Sequence, residues 1–230
     1  WSQAATVWRG LGELLSTAPD VVTVQSGVMS GPDGNPAVYL QPACSGDLGC
    51  GLAAADLLAT LGTPLTTQVA PVAYGEVLGL FDAASVRGLC WEIRTRTVAG
   101  YTPEVIDALV EGARTLTSPR SLISIHHFHG ASTRVAPDQT AFANRRPHFM
   151  VEIVACWEAG DGAAHRAWAA AVSAALAPHA LPGGYASLLG PDDHDQIANA
   201  HGDNITRLIA AKKHYDPDAV FTAIPLPRVS

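Results

Sequence analysis

Residues 21–43, VVTVQSGVMSGPDGNPAVYLQPA, place two runs rich in β-branched and apolar residues on either side of a dense break. The break, Ser30-Gly31-Pro32-Asp33-Gly34-Asn35-Pro36, concentrates the residues that favour turns. Two strands joined by so short a connection run antiparallel, because a parallel pair needs a crossover of a dozen or more residues. Residues 21–29 and 37–43 are therefore expected as a hairpin.

Helical patterns flank it. Residues 4–16 carry Ala4, Val7, Leu11, Leu14 and Leu15 on one face, and Pro19-Asp20 closes the pattern. Ser45 or Asp47 can cap a helix running to about Leu61, with Leu48, Leu52, Ala55 and Ala59 as its buried stripe and Gly62 as its stop. Residues 65–72 then read as a third strand. The same grammar returns downstream. Thr102-Pro103-Glu104 starts a helix, 122–129 and 149–157 are strands, Asp161 opens an alanine-rich helix, and 185–189 reads as a strand. Between the halves lie a short helix at 74–81 and a strand at 89–98. Helices at 192–200 and 204–213 follow. The reading is an α+β domain with one antiparallel sheet covered on one face by helices, built from two helix–strand–strand–helix–strand halves.

Of the 230 residues, 48% are hydrophobic and only 15% charged, against a usual charged share of about 25%, so disorder is excluded. The net charge of −7 would repel a phosphate backbone, and nucleic acid is not an expected partner. The longest stretch free of Asp, Glu, Lys and Arg is alanine-rich and broken by Pro178 and Pro182, so no membrane span is expected. Cys44, Cys50, Cys90 and Cys156 form no CxxC pair, which favours a reducing, cytoplasmic setting. Trp1 opens directly onto a helical pattern, which suggests a piece of a longer chain.

Few generic motifs carry chemistry. Gly46, Gly49 and Gly51 fall at a helix start but match no nucleotide fingerprint. On a strand, His127 and His129 point to one face and His126 to the other. A metal would need a third ligand, for which His148 or Glu152 are the only guesses, and no metal is expected. Asp192-Asp193-His194-Asp195 reads as an acidic helix start.

The tail is more specific. Asn204, Arg207-Leu208, Lys212, Tyr215-Asp216-Pro217 and Phe221 form one spaced string, followed by Ile224-Pro225-Leu226-Pro227. A helix stopped by Asp216-Pro217, with Phe221 returning to the core, explains the pattern but not the particular residues. This string resembles the C-terminal signature of FAD-linked oxidases of the berberine bridge enzyme type. Four upstream stretches match in order: 69–74 with Leu80-Phe81-Asp82, 125–131 (IHHFHGA), Thr140-Ala141-Phe142, and Gly184-Tyr185-Ala186-Ser187.

The resemblance covers nearly the whole chain. It implies that residues 1–230 are the substrate-binding domain, with a closing segment at 199–230. It also implies that FAD is held mainly by a flavin-binding domain absent from this chain, supplied in cis or as a separate chain. The activity implied is oxidation of a small alcohol, sugar or related C–H substrate by hydride transfer to flavin. Tyr185 is implied as the base, His127, His129 and Glu152 as pocket residues, and Asn204 and Ile224 as cofactor-facing. Two departures stand out: Ser187 replaces the family's Asn after Tyr-x, and Ala223 precedes Ile224 where the family has Asn. A non-enzymatic, free-standing α+β ligand-binding module is the alternative. Under the first reading, one sheet face should be open and apolar.

Overall fold

The computed structural model describes residues 1–79, 82, 86–224 and 226. Five strands form one antiparallel sheet: β1 (Val22–Ser30), β2 (Pro36–Cys44), β3 (Cys90–Val98), β4 (Leu122–Phe128) and β5 (His148–Trp157), in the order β2-β1-β4-β5-β3. The hairpin read from residues 21–43 is present, with Val22 opposite Cys44 and Ser30 opposite Pro36. The other strand pairs are also antiparallel.

Four helices lie on one face of this sheet: α1 (Ala4–Leu15), α2 (Leu48–Ala59), α4 (Pro103–Arg114) and α5 (Ala163–Leu176). Short α3 (Tyr74–Leu78) lies between α2 and β3, and α6 (His194–Ile197) and α7 (Ile205–Tyr215) follow α5. The core is the seam between helices and sheet. Trp8 and Leu11 of α1, Leu109 of α4 and Leu176 of α5 are fully buried against Val28, Ile123, Ile125, Val151 and Ile153. Each such side chain contributes about 1.5–3 kcal/mol on burial. The helix starts are closed as expected: Asp47 accepts from the Cys50 N–H at 2.9 Å, and Thr102 accepts from the Val105 N–H at 3.4 Å, with Pro103 in the first turn.

Three expectations are corrected. Residues 65–72 form no strand. Pro71 removes a ladder donor there, Pro64 removes another just before it, and Leu65 is left 79% exposed. Residues 185–189 are also not a strand. A single bridge joins Ala180 to Val98, and Gly183, at φ +86°, then turns the chain into a 3-10 turn at Ala186–Leu188. A side chain at Gly183 would meet the Asn199 carbonyl at 2.8 Å. Each half thus lacks its last strand, while the single antiparallel sheet with helices on one face stands. The stripe of α2 is rotated as well: Leu48 and Leu52 are exposed, and Leu58 with the following Leu61 packs on the core. A helix apolar all round gives its periodicity no face to select. In the expected helix at 74–81, Leu80 and Phe81 lie outside the described residues.

The sheet edges differ in character. β2 carries Pro36 and Pro42, and Pro42 can sit there only because β2 is an outer strand. At the other edge, Arg94 of β3 contacts Asp193 at 3.0 Å and Arg96 contacts Asp195 at 2.6 Å. The acidic run 192–195 is therefore tied to the sheet, and the Arg96 hydrogen bond holds the Asp195 carboxyl below its ordinary value.

Gly27 sits where β1 crosses Tyr39 of β2. A Cβ there would lie 2.0 Å from the Ile123 carbonyl oxygen and 2.8 Å from the Tyr39 ring, and the carbonyl is backbone that cannot swing away. Gly27→Ala is expected to destabilise the fold by about 3 kcal/mol, the upper range for overpacking. Urea unfolding at neutral pH measures it, and a midpoint matching the unmodified chain would show that the strands can part at this crossing.

Candidate functional site

On β4, Ile123 and Ile125 face the helices, so Ser124, His126 and Phe128 face the opposite side of the sheet. On β5 the matching free-face residues are His148, Met150 and Glu152, because Ser124 pairs with Glu152 and His126 with Met150. Gln25 of β1 and Tyr39 of β2 reach the same patch. The Gln25 amide donates to Ser124 Oγ at 2.8 Å, and the Tyr39 hydroxyl lies 3.0 Å from that oxygen. His126 Nε2 is 3.4 Å from Ser124 Oγ and 3.2 Å from Glu152 Oε2. The result is one polar chain, Tyr39–Ser124–His126–Glu152, across the middle of the sheet. Burial pushes the Tyr39 phenol up, and the nearby Glu152 carboxylate adds to the shift.

A groove of about 380 Å³ runs over the Glu152 end of this chain. Its floor includes His126, Phe128, Met150 and Glu152, and its far wall is formed by Phe142 and Tyr185. Phe142 lies 5.4 Å from Phe128 and 6.0 Å from Tyr185, ring centre to ring centre. Tyr185 enters this wall from the turn after Gly183 and is 41% exposed. A second hollow of about 330 Å³, lined by Trp1, Asp33, Leu65 and Arg114, shares no residue with it.

The wall is strapped from below by the tail. Asn204, at the start of α7, is buried and donates both amide hydrogens, to the Pro137 carbonyl at 2.6 Å and the Thr140 carbonyl at 3.0 Å. Arg207 donates to the Asp138 carbonyl at 2.8 Å. Arg145 completes the strap, reaching Thr140 Oγ1 at 2.6 Å and the Phe142 carbonyl at 3.1 Å, with its guanidinium 5.0 Å from the Phe142 ring centre. Further along, Asp216 accepts from the Val220 and Phe221 N–H groups and pairs with Lys212, which also reaches the Phe221 carbonyl. Those contacts hold the Asp216 carboxyl low.

Measured against the sequence expectations, Glu152 and Tyr185 share the groove. His127 and His129 do not. They lie on the helix side, stacked 3.9 Å apart, with His127 also stacked on Phe149 and His129 Nε2 2.8 Å from the Val22 carbonyl. The imidazole that meets Glu152 is His126, on the other parity of the strand. Asn204, expected beside the cofactor, is a backbone clamp whose donors are spent inside the chain. Phe221 does not return to the core: it is 78% exposed, and Ile224 is 50% exposed. Pro225 and Pro227 of the tail lie outside the described residues. The free face is open, as expected, but its centre is polar. Tyr39, Ser124 and Gln25 were not anticipated. The signal for Ser124 and His126 was their shared parity, opposite to Ile123 and Ile125. Among the described residues no group of three or more His, Cys, Asp or Glu could hold a metal ion, and no helix is long and apolar enough to cross a membrane.

An antiparallel sheet, helices on one face and a carboxylate–imidazole groove on the other define an α+β domain. No protein-family model and no curated protein matches the sequence. Solved structures do match, and they give the chain the fold of the berberine bridge enzyme type. A berberine bridge enzyme variant described as a reticuline dehydrogenase matches at a TM-score of 0.81 and 15% identity, covering 100% of this chain and 53% of its own. A variant of BBE-like 1 from Physcomitrella patens matches at 0.77 and 16%, covering 99% and 51%. The 6-hydroxy-D-nicotine oxidase of Arthrobacter nicotinovorans matches at 0.73 and 18%, covering 94% and 50%. The chain spans about half the length of these structures.

Two outcomes follow from this geometry. Burial first, then the neighbouring His129 and His148, lowers His127 to about 4. A folded value below the ordinary ~6.5 means its contribution to stability is complete above ~6.5 and is lost as pH falls through the folded value. His127→Phe keeps the stack and removes the titration, so unfolding midpoints should fall less steeply between pH ~6.5 and ~4 than in the unmodified chain. Asn204→Ala removes a buried side chain and the donor to the Pro137 and Thr140 carbonyls, at a cost of about 1 kcal/mol. Amide hydrogen exchange should accelerate over residues 137–142 and stay unchanged in β4 and β5; uniform acceleration would refute a local strap.

Proposed function

We propose that this chain is the substrate-binding domain of an FAD-dependent oxidoreductase acting on a small alcohol, sugar or related C–H substrate. The observation that carries the reading is the groove itself. Its floor holds the Glu152 carboxylate 3.2 Å from His126 Nε2, and its facing wall holds the Tyr185 phenol. A berberine-bridge-type fold sharing its architecture with a named oxidase and a named dehydrogenase agrees with it.

The residues present fit the ring end of a flavin and not its phosphates. Phe142 and Tyr185 of the wall and Phe128 of the floor offer aromatic surfaces suited to a flat ring system. The glycines at the start of α2 cannot cradle a pyrophosphate, because the Asp47 carboxylate already occupies that helix end. A flavin-binding domain, in cis or as a separate chain, would hold the phosphates, with the exposed Ile224 turned toward it. When bound, the flavin supplies the hydride acceptor.

The chain's own residues bind and move a proton. A carboxylate accepts a hydroxyl proton at neutral pH more readily than a phenol does. Glu152 therefore takes the proton of the substrate O–H, and His126 supports it from Nε2. Tyr185, the base expected from the sequence, holds the substrate oxygen from the opposite wall. Phe142 and Phe128 close the apolar sides and thin the water around the reacting oxygen.

Rapid mixing of the complete flavoenzyme with a panel of alcohols and sugars tests this. Glu152→Gln should slow flavin reduction by ~10²-fold or more, as loss of a positioned base does, and Tyr185→Phe by ~10-fold. If Tyr185→Phe costs the larger factor and Glu152→Gln nothing, the proton goes to the phenol. Absence of flavin reduction by any member of the panel would overturn the substrate class.

A further inference from the structure

Cys44 is the last residue of β2, and Cys50 lies in the first turn of α2. Five residues separate them, and two of those are glycines, Gly46 and Gly49. The Asp47 carboxylate holds Cys50 in place by accepting its N–H at 2.9 Å. The Ser45 N–H donates to the Val21 carbonyl at 2.9 Å and so anchors the chain just after Cys44. Between these anchors the Cys44 side chain lies against the helix start. A Cβ on Gly51 would stand 3.3 Å from Cys44 Cβ and 3.8 Å from its Sγ, and one on Gly46 would stand 3.6 Å from that sulfur. The two thiols meet there and share a side-chain hydrogen bond. Cys44 Sγ also accepts the Gly46 N–H at 3.4 Å and lies 3.9 Å from the Asp47 carbonyl oxygen. Both cysteines are partly exposed. Cys90 and Cys156 are placed differently. Cys90 stands opposite Trp157, the neighbour of Cys156, so the two side chains leave opposite faces of the sheet.

We propose that Cys44 and Cys50 form a redox-modification site that closes reversibly into a disulfide when the chain meets hydrogen peroxide. Cys44 is the attacking sulfur. The Gly46 N–H and the Cys50 S–H converge on it, and both donors stabilise an anionic sulfur. Cys50 keeps its proton longer, because the hydrogen bond with Cys44, then burial and the nearby Cys44 and Asp47, push its thiol up. The Cys44 thiolate attacks one peroxide oxygen. An S–O bond forms, the O–O bond breaks, and the departing hydroxide takes up the proton that Cys44 released, leaving as water. Cys50 then gives up its proton and its sulfur attacks the Cys44 sulfur. The S–S bond forms, the S–O bond breaks, and the second hydroxide leaves with the Cys50 proton as water. Two thiols and one peroxide give one disulfide and two waters, the sulfur pair losing two electrons and the peroxide gaining them. A dithiol reverses the step by exchange. The bond ties the first turn of α2 to the end of β2. Leu48 and Leu52 are exposed at that end of the helix, whose core contacts come from Leu58 and the following Leu61.

Thiol titration and peptide mapping of the chain test this without flavin or turnover. The reduced chain carries four thiols, all of which titrate in denaturant. After exposure to hydrogen peroxide at about pH 8, near the ordinary thiol value, only the thiols of Cys90 and Cys156 should titrate. Mapping should join Cys44 to Cys50 within one chain, and dithiothreitol should restore every thiol. Amide hydrogen exchange should slow over residues 48–52 once the bond has formed. In Cys50→Ser, dimedone should trap Cys44 as its sulfenic acid. In Cys44→Ser, Cys50 should stay a free thiol under the same exposure. Full thiol titre after peroxide, a bond through Cys90 or Cys156, a bond between two chains, or a Cys44 sulfinic acid in place of the disulfide would overturn the proposal. So would exchange over residues 48–52 that the bond leaves unchanged. Dimedone trapping at Cys50 in Cys44→Ser, with none at Cys44 in Cys50→Ser, would overturn the assignment of Cys44 as the attacking sulfur.

Discussion

The two-residue period of β4 and β5 is the constraint on which the rest of the molecule depends. Ile123, Ile125, Val151 and Ile153 occupy one parity and are fully buried beneath α4 and α5. Every residue between them must then face the other way. Because antiparallel register sets Ser124 opposite Glu152 and His126 opposite Met150, the polar members of both strands converge. The helices cover the apolar parity, and the groove occupies the polar one. A shift of either strand by one residue would move the hydrophobic set out of the core and the Glu152–His126 pair into it.

The groove's second wall rests on a different kind of support. No strand or long helix carries Phe142 or Tyr185; both sit on irregular chain between elements. Such segments hold a shape only when their backbone groups are satisfied elsewhere. Asn204, Arg207 and Arg145 do this for the loop bearing Phe142, through bonds to carbonyls rather than to one another's side chains. The tail string is thus a set of backbone clamps. Lys212, Asp216 and the N–H groups of Val220 and Phe221 repeat the device one turn further on.

The hairpin, the helix caps and the one-sided helix layer were legible because each has a local cause: turn residues, a capping oxygen, a 3.6-residue period. The missing strands at 65–72 and 185–189 were not, because a strand needs a partner and sequence shows only the apolar run. Glu152 and Tyr185 were readable as groove residues through family resemblance. That His127 and His129 lie away from the groove while His126 lines it was legible in the strand: they share parity with Ile123 and Ile125, and that parity is the core. The clamp made by Asn204 was not legible, for the opposite reason. Its spacing marks it as special, but nothing local reveals that its partners lie 64 and 67 residues away.

The prolines of β2 have a consequence for how the molecule behaves in a crowd. An outer strand presents a row of unpaired N–H and C=O groups that can template addition of a foreign strand. Pro42 interrupts that row, since it has no N–H and its ring blocks close approach along the ladder. At the opposite margin, the bridge to Ala180 and the paired Arg94 and Arg96 occupy the β3 edge. A surface that leaves Leu65, Tyr215 and Phe221 largely exposed is adhesive. Blunted edges confine that adhesion to side chains, which can pack and release, and deny it the continuous backbone ladder from which fibrils grow.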